Sequence, residues 1–319
     1  MRAILAAALA VAAPAFADIA LVPPVDCTLG ETCFIQNYFD TDPGPGRRDF
    51  TCGHLSYDGH DGTDFAVPTL ADMERGVAVL APAAGTVTGT RDSLPDIAFN
   101  APGAPALAGR DCGNGVAIDH GGGWTTQLCH LARGSIAVRT GDRVVQGQPV
   151  GRIGLSGRTE FPHVHLSVRK DGQKIDPFRP TTADTCDPAP GPGLWAEPLA
   201  YVSALLTGIG IAADPPEFAQ TLAGLPTPDP LPTSAPALVV WTVIVGPKQG
   251  DRLILRLTGP QGPVADQTVT LDRDQTRAFR FSGRKRPASG WLPGPYTAEV
   301  TLIRGNAVLD RASIATTLR

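Results

Sequence analysis

The chain has 319 residues, enough for two domains of roughly 100–200 residues each. Its formal net charge is −4, and its 31 Asp and Glu residues outnumber its 27 Lys and Arg residues. It therefore lacks the basic excess that nucleic-acid-binding proteins use to hold phosphates, and we expect no nucleic acid as a partner. Glycine and proline supply about a fifth of the residues, which predicts many turns and few long helices without reaching the share typical of disorder.

The N-terminus has the features of an export signal. Arg2 precedes an unbroken apolar run over residues 4–13, and Ala15-Phe16-Ala17 fits a small-x-small cleavage site. The run is too short to span a bilayer, and no later segment is apolar for long enough. We expect residues 1–17 to be removed, leaving a periplasmic or secreted bacterial protein with no transmembrane segment that acts as a monomer.

The cysteines agree with export, because an even number in an exported chain predicts disulfides. Six cysteines allow many connectivities, and the sequence alone does not choose among them. A cysteine-rich metal site is the competing interpretation, but no CxxC pair occurs and export favours oxidation. The pairs we favour are Cys112–Cys129 across a hairpin, Cys27–Cys33 in a small loop, and Cys52–Cys186 between the two ends of one domain.

The first half of the mature chain predicts an all-β domain. Residues 18–55 are rich in Asp, Gly and Pro and predict an irregular N-terminal segment. Over residues 56–186, short apolar runs alternate with turn residues, as in antiparallel strands. The turn at 120–123 predicts a hairpin, and residues 91–112 predict a long polar loop. The expected strands lie in 76–82, 85–89, 116–119, 124–128, 143–145 and 163–169.

The second half predicts a linker and a smaller domain. Residues 187–236 contain many prolines and predict a semi-rigid linker, with helical spacing at 198–207 and 217–222. Residues 237–319 return to strands, and alternation such as Leu253/Leu255/Leu257 predicts a half-buried antiparallel sheet. About 80 residues of this kind suggest a small β-sandwich resembling an immunoglobulin-like fold.

Two short motifs point to a metal site. In His163-Val164-His165, residues i and i+2 of a strand face the same side, so both rings can reach one site. His60 lies four residues before Asp64, and the glycines around them favour a tight loop over a helix. Two His and one carboxylate form a common catalytic zinc set that leaves a fourth position for water. Spare histidines at the same site could move protons or stabilise an oxyanion.

Each motif alone is weak, but the residues around both motifs follow one ordered pattern. The pieces of this pattern are His60-x-Gly62-x-Asp64, Val79 to Val87, Gly113 to Gly121, His130-Leu131, Gly141 to Gln148, Gly154 to Thr159, Pro162-His163-x-His165 and Asp176-Pro177. In these pieces, over residues 57–180, the chain resembles the lysostaphin-type (LytM-type) zinc peptidases. It departs from the family at Leu128-Cys129, where an aromatic or small pair usually stands, and in its long 91–112 loop.

The resemblance implies a function and a site. His60, Asp64 and His165 would bind Zn²⁺, while His130 and His163 would be catalytic, one as general base and the other to stabilise the oxyanion or orient water. The family does not decide which ring does which. It also implies an antiparallel β-sheet scaffold with the site in a loop-lined groove, and peptidoglycan peptides as the substrate.

The remaining polar candidates have weaker support. We expect His120 to be exposed at the hairpin turn, and His54 has a smaller chance than the motif residues of lining the groove. Asn37, Asp40 and Asp42 could fold over the site, as an N-terminal segment does in some relatives.

Two alternatives to a peptidoglycan endopeptidase stay open. One is a non-catalytic LytM-type regulator that activates another cell-wall hydrolase. Such relatives typically lose a metal ligand, whereas this chain keeps all three. The other is a peptidase that acts on a soluble exported protein. In each case the C-terminal sandwich could bind the wall, cover the groove or space the enzyme.

Overall fold

The computed structural model describes residues 19–180, 187, 191 and 193–319. The predicted export signal, residues 1–17, therefore lies outside the described residues, as does Cys186. The described chain is nearly all-β, as predicted, and the strands within each sheet pair antiparallel. No helix in these described ranges is long and apolar enough to cross a membrane.

The first part of the chain forms one large sheet and one small sheet. The large sheet has the order β1-β2-β9-β6-β5-β4-β7, with β10 paired to β9, and β3 pairs with β8 in the small sheet. The elements are β1 (Phe34–Asn37), β2 (Thr63–Ala66), α1 (Leu70–Glu74), β3 (Ala78–Leu80), β4 (Gly85–Arg91), β5 (Asn114–Gly121), β6 (Trp124–Leu131), β7 (Arg143–Val144), β8 (Pro149–Arg152), β9 (His163–Lys170) and β10 (Gln173–Ile175).

Along β9, buried apolar residues alternate with the histidines of the candidate site. Val164, Leu166 and Val168 belong to the main hydrophobic core, with at most 1% of each exposed. His163 and His165 occupy the alternate positions and so face the other side of the sheet. A shift of one residue in register would place the histidines in the core, so the apolar residues specify the register strongly.

Strand pairing brings distant residues to the same edge of the sheet. The antiparallel register of β2 on β9 places Asp64 opposite His165. On the other side of β9, Cys129 of β6 lies opposite His165, so His130 follows immediately at the same level. Three segments separated by more than 30 residues therefore meet around His165.

The N-terminal segment is more ordered than predicted. Residues 34–37 form β1, which extends the large sheet beside β2, and Leu21, Tyr38 and Phe50 lie in the core. The prediction of an irregular 18–55 segment was therefore wrong for β1. The strand has four residues, all buried, and the Asp, Gly and Pro residues around it made the segment resemble a loop.

The second part of the chain forms two facing sheets around its own core. The sheets have the orders β11-β12-β15 and β14-β13-β16-β17. This is the predicted sandwich, while its immunoglobulin-like topology stays a prediction. The elements are β11 (Leu205–Ala212), α2 (Phe218–Ala223), β12 (Ala237–Val245), β13 (Arg252–Gly259), β14 (Gly262–Thr270), β15 (Arg277–Lys285), β16 (Gly294–Arg304) and β17 (Ala307–Leu318).

The predicted linker contains a strand of this sandwich. Residues 205–212 pair with β12 instead of forming a semi-rigid spacer or continuing a helix from 198. The glycines in this strand make room for an aromatic ring, since a Cβ at Gly210 would lie 2.4 Å from the indole of Trp241. The helix at 217–222 is present as α2, so the linker prediction was wrong for β11 in particular. The remaining domain boundaries stay predictions.

Two of the favoured disulfides are confirmed. Cys27 bonds to Cys33, and Cys112 bonds to Cys129. Cys52 is also disulfide-bonded, but its favoured partner Cys186 lies outside the described residues. The Cys112–Cys129 bond ties the beginning of β5 to the residue just before His130.

Candidate metal centre and its groove

Three side chains converge on one point at the edge of the large sheet. The Nε2 atom of His60 lies 3.1 Å from Oδ1 of Asp64, and Nδ1 of His165 lies 2.8 Å from the same oxygen. The two ring nitrogens are 3.2 Å apart, and all three side chains are buried. Two imidazoles and a carboxylate suit a divalent zinc ion, so this donor set fits the predicted metal.

Neighbouring groups orient both imidazole rings toward this point. The Nδ1 atom of His60 lies 2.6 Å from the carbonyl oxygen of Tyr38, which can only accept, so Nδ1 carries the proton and Nε2 is free to bind a cation. His165 has the opposite arrangement, with Nε2 within 3.2 Å of Oδ1 of Asp61 and Nδ1 toward Asp64. A carboxylate behind a ligating histidine fixes its ring and raises its basicity.

A glycine is required beside His165. A Cβ built at Gly62 would lie 2.6 Å from Nε2 of His165 and 2.5 Å from the carbonyl oxygen of Leu166. Any side chain there would displace the ring or the strand. The glycine between His60 and Asp64 is therefore a steric condition for the site.

The groups around the centre favour the ionised form of Asp64 and the protonated form of His165. Burial alone would raise the pKa of Asp64, but His60 and His163 lower it well below its usual range. Burial likewise lowers the pKa of His165, but hydrogen bonds to Asp61 and Asp64 outweigh this and raise it to about 9. A cation that binds Nδ1 must therefore displace a proton at neutral pH.

We expect Asp61→Asn to weaken metal binding and flatten its pH dependence. Zinc affinity should rise about tenfold per pH unit up to about pH 9 in the wild type, because one proton leaves His165 as the metal binds. Loss of the carboxylate lowers the pKa of His165 and its basicity, so the zinc affinity of the variant at pH 9 should be about 10–100-fold below that of the wild type. At pH 6 the gap between the two proteins should be smaller, because fewer protons compete for the ring of the variant.

Competition with a chelator of known affinity, between pH 6 and 9, measures this effect. Asp58→Asn, which removes an exposed carboxylate from the same loop, is the matched control and should bind as the wild type does. Equal pH profiles for Asp61→Asn and the wild type would contradict the role given to Asp61.

Two further histidines flank the three donors. The ring centre of His130 lies 4.7 Å from that of His163 and 6.0 Å from that of His165. In both rings Nδ1 contacts a backbone carbonyl at 2.9 Å, Ser156 for His130 and Phe161 for His163. The Nδ1 atoms must donate to these carbonyls, so Nε2 of a neutral His130 ring carries a lone pair. The Nε2 atom of His163 lies 3.3 Å from Oδ1 of Asp64.

The backbone at His130 has an unusual conformation. Its φ of +65° lies in the left-handed region, which histidine adopts more readily than most non-glycine residues. Its amide donates to the carbonyl of Cys112 at 2.8 Å, next to the Cys112–Cys129 disulfide. This turn at the end of β6 directs the ring toward β9.

A cavity of about 540 Å³ opens over the centre. Asp64, His130 and His163 line it, and the ring of Phe161 stacks on His163 with their centres 4.4 Å apart. On the opposite side, the half-exposed ring of Tyr57 lies 4.5 Å from that of His60. Three of the five motif residues thus line the groove, and the other two, His60 and His165, contact Asp64.

The other polar candidates fall in different places. His120 bonds to the Ala84 carbonyl and the Thr126 hydroxyl beside the hairpin turn, apart from the groove. The charged groups that act on His54 are led by Lys248 and Asp274 of the sandwich, so it does not join the centre. Of the three N-terminal candidates, Asn37 reaches the site.

Asn37 donates from Nδ2 to Oδ2 of Asp64 at 2.8 Å, the oxygen that faces away from His60. The Asp40 carboxylate instead accepts from the backbone of Asp42, Arg48 and Gly59 and so supports the loop before His60. Sequence reasoning missed Asp61, Tyr57 and Phe161. Their positions beside motif histidines were the available signal.

Comparison with known proteins matches the part of the chain that contains this site. The family model described as "Peptidase family M23" matches residues 58–177. Peptidoglycan DD-endopeptidase ShyA of Vibrio cholerae is 32% identical over 120 residues, which cover 38% of this chain and 22% of ShyA. Peptidoglycan DD-endopeptidase ShyC of the same organism is 40% identical over 65 residues, covering 20% of this chain and 14% of ShyC.

Among solved structures, the catalytic domain of the prophage-encoded M23 protein EnpA from Enterococcus faecalis is 25% identical. That match covers 47% of this chain and 92% of the EnpA domain, with a TM-score of 0.32. The chain spans less than a quarter of the length of the two Vibrio relatives. The matched region contains all five motif residues of the candidate site. Residues 58–177 belong to peptidase family M23, the lysostaphin-type (LytM-type) peptidases that the motif order predicts.

Proposed function

We propose that the protein is an exported zinc metalloendopeptidase that hydrolyses peptide bonds of bacterial peptidoglycan. The convergence of three candidate metal-donor side chains, one of which lines a groove together with two further histidines, carries this proposal. The relatives named as peptidoglycan endopeptidases support the substrate class. The disulfides fit export to an oxidising compartment.

In this proposal His60, Asp64 and His165 hold the metal. A zinc ion bound by them supplies two effects, a lower pKa of about 7 for a water and polarisation of the scissile carbonyl. Tyr38 and Asp61 hold the two rings in the tautomers that binding requires. Three protein ligands are the number typical of catalytic sites, since structural sites use four.

His130 and His163 transfer protons and stabilise charge during hydrolysis. Burial and the neighbouring rings of His163 and His165 lower the pKa of His130 well below its usual value, so it is neutral at neutral pH. A neutral ring with Nδ1–H bound to a backbone carbonyl can take a proton at Nε2. One ring takes the proton of the attacking water and passes it to the leaving amine, and the other orients that water or donates to the oxyanion.

Digestion of purified sacculi by the mature protein tests the proposal. We expect about one zinc per chain by elemental analysis, and release of peptide-linked fragments whose masses identify the bond that is cut. A chelator should abolish release, because activity depends on the metal, and added zinc should restore it. Absence of zinc, or release that persists after zinc is removed, would reject the proposal.

The same assay separates the alternatives. Intact sacculi together with cleavage of a soluble exported protein would favour the second peptidase hypothesis. A regulator would cut neither substrate but would increase lysis by a separate cell-wall hydrolase.

A further inference from the structure

The second wall of the groove comes from the C-terminal sandwich. Phe218 and Leu222 of α2, together with Thr276 and Arg277 at the beginning of β15, line the same cavity as His163. These residues lie far along the chain from the metal motifs, and no sequence pattern connects the two. Of the three roles open for the sandwich, the structure favours covering the groove.

Arg277 is the charged group of this wall, and it lacks a charged partner. Its Nη2 donates to the neutral amide oxygen of Gln36, and its Nε is buried without a hydrogen-bond partner. Among the described residues no carboxylate forms an ion pair with it. The guanidinium lies instead over two aromatic rings, 5.4 Å from the centre of Phe161 and 6.0 Å from that of Phe34.

The other acids of the cavity are engaged elsewhere. Oδ1 of Asp64 faces the histidines, and its Oδ2 accepts from Asn37. The exposed carboxylate of Glu160 accepts from Asn100 at 3.0 Å. Desolvation lowers the pKa of Arg277 to about 10, which still leaves the group charged at neutral pH. A charge that is partly removed from water without a counterion is costly, so the site favours an incoming anion.

Phe161 connects Arg277 to the catalytic centre. One ring contact joins Phe161 to His163 at 4.4 Å between centres, and the other joins it to the guanidinium at 5.4 Å. These two distances place the guanidinium carbon of Arg277 within about 10 Å of the centre of the His163 ring, a separation that about three residues of an extended peptide span at roughly 3.3–3.6 Å per residue. This is within one substrate peptide of the bond to be cut.

We infer that Arg277 binds a free carboxylate of the peptide being cleaved, so that the sandwich selects anionic peptides for the groove. The inference rests on the proposed peptidase function and adds to it a residue that determines specificity. A planar guanidinium recognises a carboxylate with two parallel hydrogen bonds, and that of Arg277 lines the cavity without an ion-pair partner among the described residues. Peptidoglycan stems carry such carboxylates at their C-terminus and within the stem.

The test compares matched peptides. The probes are a cross-linked stem-peptide dimer with free carboxylates, the same dimer with only the C-terminal carboxylates amidated, and one with only the internal carboxylates amidated. We expect the zinc-loaded wild type to cut one of the two amidated dimers with a kcat/KM about 10–100-fold below that for the free-acid dimer, as for loss of a charge-assisted hydrogen bond. That peptide also identifies which carboxylate binds.

Arg277→Gln should lower kcat/KM on the free-acid dimer by a similar factor and lose the preference for it, while Arg277→Lys should keep part of the preference. Arg280→Gln is the matched control, because Arg280 lies three residues further on the same strand, bonds to a backbone carbonyl and does not line the cavity. It should behave as the wild type does. Thermal unfolding of each variant checks that the fold is intact.

Several results would overturn the inference while leaving the proposed function intact. These are equal wild-type rates on all three dimers, or a preference that Arg277→Gln retains. If Arg277→Gln does not fold, the rates of the wild type on the three dimers still test whether a free carboxylate is recognised. If the zinc-loaded wild type cuts no dimer, the proposed function fails. Calorimetric binding of the same dimers then tests Arg277, and equal affinity for acid and amide would overturn its role.

Discussion

Replacement of His60 with alanine should leave the folded protein without stoichiometric zinc and lower hydrolysis of sacculi by at least about 10³-fold. His60 supplies one of three donor atoms that converge within 4.8 Å of one another. The two donors that remain form an incomplete set for zinc. Loss of an oxyanion donor alone costs about 10²–10³ in rate, and loss of the metal removes the activation of water as well.

Elemental analysis and sacculus digestion measure the two effects in the same preparations. His120→Ala is the matched control, since this histidine lies at the other end of the β5–β6 hairpin from His130 and bonds to Ala84 and Thr126. It should retain zinc and activity. A His60→Ala protein with a full complement of zinc, or with unchanged hydrolysis, would reject His60 as a ligand.

Replacement of His130 or His163 with glutamine should separate catalysis from metal binding. Each variant should retain zinc but hydrolyse sacculi about 10²–10⁴ times more slowly, the range typical of a lost general acid or base. The reason is geometric, because both rings line the cavity beside Asp64 but are not among the three donors that converge most closely. The double variant should be little slower than the worse single variant, since the residues act in one step.

Zinc content is the decisive control for these variants. A variant that loses both zinc and activity would assign its histidine to the metal instead of to proton transfer. Activity within tenfold of the wild type would remove that histidine from the mechanism. Comparison of the pH–rate profiles of the two single variants identifies which ring acts as the general base.

The N-terminal segment contacts the candidate metal centre through β1 and Asn37. We predicted that it could fold over the site. Its strand β1 is paired to β2, and Asn37 is held against Asp64. Tyr38, which follows directly, orients His60 through its carbonyl. The segment therefore supports the metal centre, while an inhibitory role stays a prediction.

Much of the site followed from local patterns. A strand places residues i and i+2 on one face whatever surrounds it, so His163 and His165 had to point the same way. The same alternation predicted most strands in both halves of the chain, and the cysteine positions suggested two disulfides that the structure contains. The missed strands β1 and β11 are short or glycine-containing, and their apolar residues are buried against partners from elsewhere in the chain.

The sequence by itself determined the all-β class and the family and predicted the candidate donor residues, because spacing along a strand or a tight loop is local geometry. Only the tertiary structure decided which groups surround those donors. Asp61 reaches His165 because β2 pairs with β9, and Asn37 reaches Asp64 because β1 joins the same sheet. Arg277 faces the groove because a separate sandwich packs beside it. Contacts of this kind depend on how remote surfaces fit together, which local periodicity does not encode.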